Sequence, residues 1–328
     1  MKTAAIKTKA LRSCSNKLGH VKAAKLQKIT WSFIRGVLIA GICFVTVYPL
    51  LIKLHMSIMT EGDLYDSTVR FIPRNFTMEN FKVAWELMVY PTASFNSLKV
   101  SLMVSILQVA SCTIIGYGFA RFNFAGKNLL FAMCIITLVV PPQTIMLPMY
   151  LHFRFFDLTS LFSIGSPSGG VNLLDSYWPF TFLSATGLGL KNGLYIYIIR
   201  QFFRGMPKEL EEAAYVDGAG LFKTFYKIML PSAMPAMATI FLFSFVWQWN
   251  DSFYTSLFLS DLPVLPNRLA SLASNLRYRF GHTDMINMVY ESQMNSVGSI
   301  LLIIPLLVVY LIAQRYFVES IERTGIVG

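Results

Sequence analysis

Residues 207–231 read Pro207-Lys208-Glu209-Leu210-Glu211-Glu212-Ala213-Ala214-Tyr215-Val216-Asp217-Gly218-Ala219-Gly220-Leu221-Phe222-Lys223-Thr224-Phe225-Tyr226-Lys227-Ile228-Met229-Leu230-Pro231, a charged stretch between two apolar runs. Proline fits a first helical turn, where its missing N–H costs nothing, and Glu209, Glu211 and Glu212 set negative charge at the positive end of the helix dipole. A first helix is therefore predicted from about Pro207. Asp217 and Gly218 end it, because glycine accepts the left-handed conformation that a tight stop needs, and Gly220 loosens the link further. A second helix is predicted from Leu221, with Leu221, Phe225 and Ile228 recurring at i, i+4 and i+7 until Pro231 closes it. Lys223 and Lys227 occupy its other face. Ala213 and Ala214 leave room for close approach of a partner, and Glu212 offers that partner a carboxylate.

Outward from this hairpin the chain is apolar. Hydrophobic residues make up 55% and charged residues 14% of 328 positions, with a mean hydropathy of +0.54, outside the range of ordinary soluble domains. Crossing a hydrocarbon core of roughly 30 Å takes about 20 residues. Six runs meet that length, near 31–52, 95–120, 129–150, 177–203, 234–258 and 294–316. The expected fold class is all-α, a polytopic membrane protein with six transmembrane helices and both termini on one side.

Charge decides which side. Residues 1–30 carry Lys2, Lys7, Lys9, Arg12, Lys17, Lys22, Lys25 and Lys28 with no acid, so by the positive-inside rule this tail is cytoplasmic. Arg121 and Lys127, the hairpin at 206–231, and Arg315 and Arg323 then fall inside as well. The loop at 53–94 falls outside, where Lys53, Arg70, Arg74 and Lys82 nearly cancel Glu61, Asp63, Asp66, Glu79 and Glu86. Topology and anionic lipid thus account for the net charge of +11, and a nucleic-acid role is not needed. The domain division is a basic tail at 1–30, whose Lys/Ala/Ser/Thr composition suggests disorder, and a transmembrane domain at 31–328. The first apolar run is too long for a signal-peptide core and no small-x-small site follows, so it reads as an uncleaved anchor.

Several chemistries find no support. Cys14 lies in the tail, and Cys43, Cys112 and Cys134 lie in spans, with no disulfide framework. His55, His152 and His282 have no second ligand at metal spacing, so no metal is expected. Neither Gly126-Lys127 nor Gly187-Leu188-Gly189 completes a phosphate loop, which assigns any ATP hydrolysis to another chain and leaves this one without a cofactor. No Ser/His/Asp set or paired carboxylate argues for an enzyme.

The spacing Glu212-Ala213-Ala214, Gly218, Ile228, Leu230-Pro231 resembles the EAA signature of the membrane-spanning subunits of binding-protein-dependent ABC importers. Outside such a family the same stretch would read as an ordinary amphipathic hairpin on the membrane surface. The link from Tyr117-Gly118-Phe119-Ala120-Arg121 to Gly126-Lys127 is similar to the carbohydrate branch of these permeases. So are Pro141-Pro142-Gln143, Leu147-Pro148-Met149-Tyr150, Arg200-Gln201-Phe202-Phe203 and Trp249-Asn250-Asp251. Two segments depart from the pattern, the long basic tail and the inserted Gly165-Ser166-Pro167-Ser168-Gly169-Gly170. The resemblance implies a type I ABC importer permease fold and carriage of a sugar or oligosaccharide. It also implies ATPase subunits, a second permease, distinct from this one, and an extracytoplasmic solute-binding protein that meets the segment at 261–291. Coupling to the ATPase would fall to Glu212, Ala213, Ala214, Asp217, Gly218, Ile228, Leu230 and Pro231. A phosphorylated polyol or an amino acid as cargo, or a non-transporting anchor that recruits an ATPase, are the alternatives.

Within the spans, Lys191, Asn250 and Asp251 are candidates for the translocation pathway. An ionisable group at membrane depth should face protein or water. Asp251 reads equally as a helix-end anchor near the interface, since about 17 residues at 1.5 Å each separate it from Met234. Lys191, among Gly187, Gly189, Asn192 and Gly193, lines a cavity or snorkels from a local helix break.

Overall fold

The computed structural model describes residues 2–69, 72–157, 170–189, 191–280 and 288–325. Among these the chain is helical, with two isolated bridges, Met59 to Phe76 and Phe156 to Val171, and no strand. The insert at 165–170 apart from Gly170, His282 and part of the segment at 261–291 lie outside the described residues. The chain divides into two units, Met1–Phe76 and Thr77–Gly328.

In the first unit α1 (Lys2–Ser57) takes in the basic tail whose composition suggested disorder. Its Ala, Lys, Leu, Arg and Gln residues are strong helix formers, and no proline precedes Pro49. Gln27–Ser57 is long and apolar enough to cross a membrane. The loop beyond α2 (Glu61–Tyr65) is closed by side chains. Asp63 accepts the Asn75 N–H at 2.7 Å and its Nδ2–H at 3.1 Å, and Arg74 pairs with Asp66 at 3.0 Å. The Asn75 N–H bond, which favours the charged form, holds the Asp63 carboxyl below its ordinary range.

The second unit opens with α3 (Glu79–Leu87) and is organised around α4 (Tyr90–Arg121). One buried line of α4 carries Ser97, Ser101 and Ser105, each four residues on. Small hydroxyl residues at that spacing let neighbouring helices approach closely in a membrane. Gly116 does the same further along, where a Cβ would lie 2.5 Å from Ile199 Cγ2. Against α4 pack α7 (Trp178–Ala185), α8 (Asn192–Gly205) and α12 (Met234–Trp249).

Three of the expected spans are interrupted. The third is divided into α5 (Lys127–Ile136) and α6 (Pro142–Arg154), because Pro141 and Pro142 offer no N–H to continue the ladder. The fourth is divided into α7 and α8, with Gly187 at φ 77° and Lys191 at φ 63° in the break. The fifth stops at Trp249 and resumes as α13 (Phe253–Phe258). Then α14 (Leu265–Ala270) and α15 (Leu272–Phe280) precede α16 (Met288–Gly325). Among the described residues, Gln27–Ser57, Tyr90–Arg121 and Met288–Ile312 are single helices fit to span a membrane, and a fourth results if the bent pair Leu221–Ser232 and Met234–Trp249 is one span.

Candidate functional site

The hairpin forms where its turn chemistry predicts. After Pro207, α9 runs Glu209–Val216 with Lys208 as its N-cap, so the helix starts two residues later than the proline suggested. Its end is a Schellman turn. Gly218 sits at φ 78°, its N–H donates to the Tyr215 carbonyl at 3.0 Å, and the Ala219 N–H reaches the Ala214 carbonyl at 2.9 Å. No atom would meet a Cβ at Gly218, so the need for glycine there is one of backbone conformation alone.

The second arm departs from expectation. It is α10 (Leu221–Thr224), then a π-helical turn at Phe225–Met229, then α11 (Leu230–Ser232), with a bend of 70° into α12. Pro231 therefore does not close the arm; it sits in the first turn of α11. Lacking an N–H for the Lys227 carbonyl, it favours the wider turn, in which the Leu230 N–H bonds to the Phe225 carbonyl. The extra residue in that turn rotates the inward face. Of the expected Leu221, Phe225 and Ile228 stripe, Phe225 and Ile228 are half-buried and Leu221 is exposed, while Thr224 and Met229 are the buried residues and Leu230 is half-buried.

Two adjacent glutamates face opposite surroundings. Glu211 is buried, with Oε2 3.3 Å from Arg121 Nε and side chains only 10% and 7% exposed. The contact is an ion pair by distance without hydrogen-bond alignment, since Arg121 Nε has no hydrogen-bond partner. The Tyr117 hydroxyl donates to Glu211 Oε1 at 2.9 Å, and Arg121 Nη2 donates to the Met206 carbonyl at 3.0 Å. Tyr117 also packs on Phe203 and Phe225, ring centroids 5.2 and 4.7 Å away. The end of α4 thereby grips both arms of the hairpin. Glu212 and Ala213 are exposed, as are Asp217 and Gly218, whereas Ala214 is buried. On the same hairpin Val216 and Phe222 are each 87% exposed and Tyr226 70%.

Sequence reasoning missed Glu211 as a buried partner, counting it only as a first-turn acid. The signal available was Tyr117 and Arg121 at i and i+4, one face at the end of an apolar run.

The three pathway candidates are not brought into one cavity. Asp251 is buried, and its carboxylate accepts the N–H groups of Phe253, Tyr254 and Thr255 at 3.3, 3.2 and 2.9 Å, the geometry of an N-terminal helix anchor for α13. Asn250 is exposed and donates to the Val246 carbonyl at 2.8 Å. Lys191 is the N-cap of α8, its Nζ 4.8 Å from the ring centre of Trp247. A polar interior the sequence did not suggest lies between α4, α8 and α12. There the Ser244 hydroxyl bonds to Gln108 Oε1, and Gln108, Gly189 and Gln248 line a cavity of about 20 Å³. Among the described residues, the buried amide atoms of Asn192 and the Gln248 Nε2 have no hydrogen-bond partner.

Residues 113–323 match the family described as binding-protein-dependent transport system inner membrane component. The chain is 26% identical to the arabinooligosaccharides transport system permease protein AraQ of Halalkalibacterium halodurans, covering 88% of this chain and 94% of that one. It is 27% identical to the maltodextrin transport system permease protein MdxG of Bacillus subtilis, covering 87% and 92%. It is 29% identical to the alpha-glucoside transport system permease protein AglG of Rhizobium meliloti, covering 78% and 62%. In fold it resembles a chain of a bacterial ABC transporter that imports the acidic polysaccharide alginate, with a TM-score of 0.65, 20% identity, and coverage of 88% and 96%.

Proposed function

This chain belongs to the family of binding-protein-dependent transport system inner membrane components, and on that premise we propose that it is the permease subunit of an ABC importer for a sugar or oligosaccharide. It is a multi-pass transport subunit of the cytoplasmic membrane rather than an enzyme. The sugar cargo is supported by the carbohydrate systems named for several of its relatives.

The observation that carries the mechanism is the two-faced hairpin. Its exposed face, with Glu212, Ala213, Val216 and Phe222, is the docking surface for a separate ATPase. Its buried face, through Glu211 and Arg121, passes ATPase movement to α4. ATP binding shifts the spans between inward- and outward-facing states through the difference in its affinity for the two. Asp217, Gly218, Ile228, Leu230 and Pro231 hold the hairpin's shape. The chain crosses the membrane six times, the third, fourth and fifth crossings as broken helices, with both termini and the hairpin in the cytoplasm. Broken helices near unpartnered polar groups are the usual setting of a transport pathway. That favours Gln108, Asn192, Ser244 and Gln248 as its lining, with Lys191 at the edge and Asp251 as an anchor. The partners are a second, distinct permease, ATPase subunits, and a solute-binding protein that meets the segment at 261–291.

Reconstitution of the full complex in vesicles tests this reading, with uptake measured for the solute its binding protein carries. ATP-dependent sugar uptake is expected. An assembled complex that hydrolyses ATP but moves nothing would favour the non-transporting anchor, and a non-sugar solute would overturn the cargo. For orientation, a cysteine at Ser67, which is exposed, should react with an impermeant reagent in intact cells and one at Phe222 should not.

A further inference from the structure

Beside the hairpin lies a cleft of about 670 Å³, formed by the end of α4, the link at 122–126, the first turn of α5, the last turns of α8 and Lys208. Five cations line it: Arg121, Lys127, Arg200, Arg204 and Lys208. Arg121 is already paired with Glu211. Among the described residues the other four form no ion pair, and no carboxylate lines the cleft. Arg200 and Arg204 are moreover four apart on α8, where like charges repel. A cluster of this kind is held together at a cost that a bound anion offsets.

The donors are arranged in advance. The Arg200 guanidinium lies 4.0 Å over the ring of Phe131 and its Nε donates to the Phe119 carbonyl at 3.3 Å, which orients the planar fork and leaves its terminal nitrogens to a ligand. Lys127 Nζ donates to the Phe122 carbonyl at 2.6 Å and keeps two further donors. Guanidinium forks at close quarters match the oxygens of a phosphate group.

What surrounds the cleft distinguishes a lipid from a soluble anion. Leu129, Leu130, Met133 and Ile136 of α5 are all exposed, so an apolar face leads directly away from the cations, and Phe124 is exposed at the rim. We propose that the cleft binds the phosphate of an anionic phospholipid headgroup, with the acyl chains lying along α5. This rests on the reading of the chain as a membrane permease, and it adds a site to that reading. Because Lys208 caps α9 and Arg121 holds Glu211, occupancy of the cleft steadies the base of the hairpin.

The test is lipid retention rather than transport, so that it stands apart from the function proposed above. The purified complex is incubated with vesicles of phosphatidylcholine alone or with phosphatidylglycerol, and bound lipid is counted by native mass spectrometry. Phosphatidylglycerol should be retained, and an Arg200→Gln/Arg204→Gln variant should lose about tenfold or more of it, with phosphatidylcholine retention unchanged. The Lys208→Gln variant, at an exposed position, gives the same test with a smaller loss should the double variant not fold. Retention equal to wild type in a folded variant overturns the site. Displacement of the lipid by inorganic phosphate alone, or binding of phosphate with no preference for phosphatidylglycerol, overturns the lipid in favour of a soluble anion. Loss of ATPase association with lipid retention intact would assign the cleft to an acidic protein surface instead.

Discussion

Glu211 and Glu212 are the same residue type, one position apart on α9, yet the first is enclosed by Arg121 and Tyr117 and the second faces solvent. One step along a helix turns a side chain by about 100°, enough to send one carboxylate to the fold and the other outward. The difference separates two kinds of importance. Removing one member of a buried ion pair leaves an uncompensated charge, so loss of Glu211 is felt first as lost stability of the contact through which movement would pass to α4. An exposed acid without a partner contributes little to folding, so any large effect at Glu212 has to come from something that binds there.

The largest expected effect follows from the buried side. Arg121→Ala should destabilise the contact between α4 and the hairpin by about 3 kcal/mol, read as a lower melting temperature and reduced yield of the folded chain. Replacing Glu211, Arg121 and Tyr117 together by Leu, Met and Phe should recover most of that loss, because no charge is then left buried. A triple variant no more stable than Arg121→Ala would mean that the cluster does more than satisfy its own charges.

Gly218→Val comes next. Nothing crowds the position, so the cost is that of a β-branched residue at φ 78°, about 1–2 kcal/mol. It falls on the hairpin alone. Co-purification of the ATPase should drop with little change in the melting of the spans, whereas Gly218→Asn should be tolerated, since asparagine visits this conformation more readily. Equal association for Val and Asn would remove the turn from the account.

How much of this was legible in the sequence divides along the same line. The Gly218 turn and the acid-rich start of α9 are local, and local chemistry is written in adjacent residues. The single-helix spans were legible because twenty apolar residues in a row have few other uses. The break at Gly187 through Lys191 was legible as one reading of Lys191 among its glycines, whereas the break at Pro141-Pro142 was hidden by the continuous hydropathy around it. The pairing of Glu211 with Arg121 joins positions 90 apart, and the i, i+4 spacing of Tyr117 and Arg121 marks a polar face on α4 without naming the acid that meets it. Gln248 went unnoticed, and Asn192 was named only as a neighbour of Lys191, for a similar reason, because two amides barely lower the hydropathy of a span.

A third acid sharpens the contrast. Among the described residues the Asp251 carboxylate is bonded by backbone N–H groups alone. The amide oxygen of Asn keeps the Phe253 and Tyr254 bonds that Oδ1 accepts, but its NH2 would face the Thr255 N–H that Oδ2 accepts, so Asp251→Asn should lower stability by about 1 kcal/mol and leave uptake near wild type. Uptake below about a tenth of wild type, about 1.4 kcal/mol on a rate-limiting step, with normal complex yield, would move Asp251 from anchor to pathway.

The smallest expected effect on folding and the most direct test of the central claim coincide at Glu212. In purified complexes carrying Glu212→Lys, the melting temperature of this chain should be unchanged, within the roughly 0.5 kcal/mol usual for surface substitutions, while the amount of ATPase that co-purifies falls by about tenfold or more, as for a charge reversed at an interface. Wild-type ATPase association in the Glu212→Lys complex would contradict the assignment of the exposed face as the docking surface.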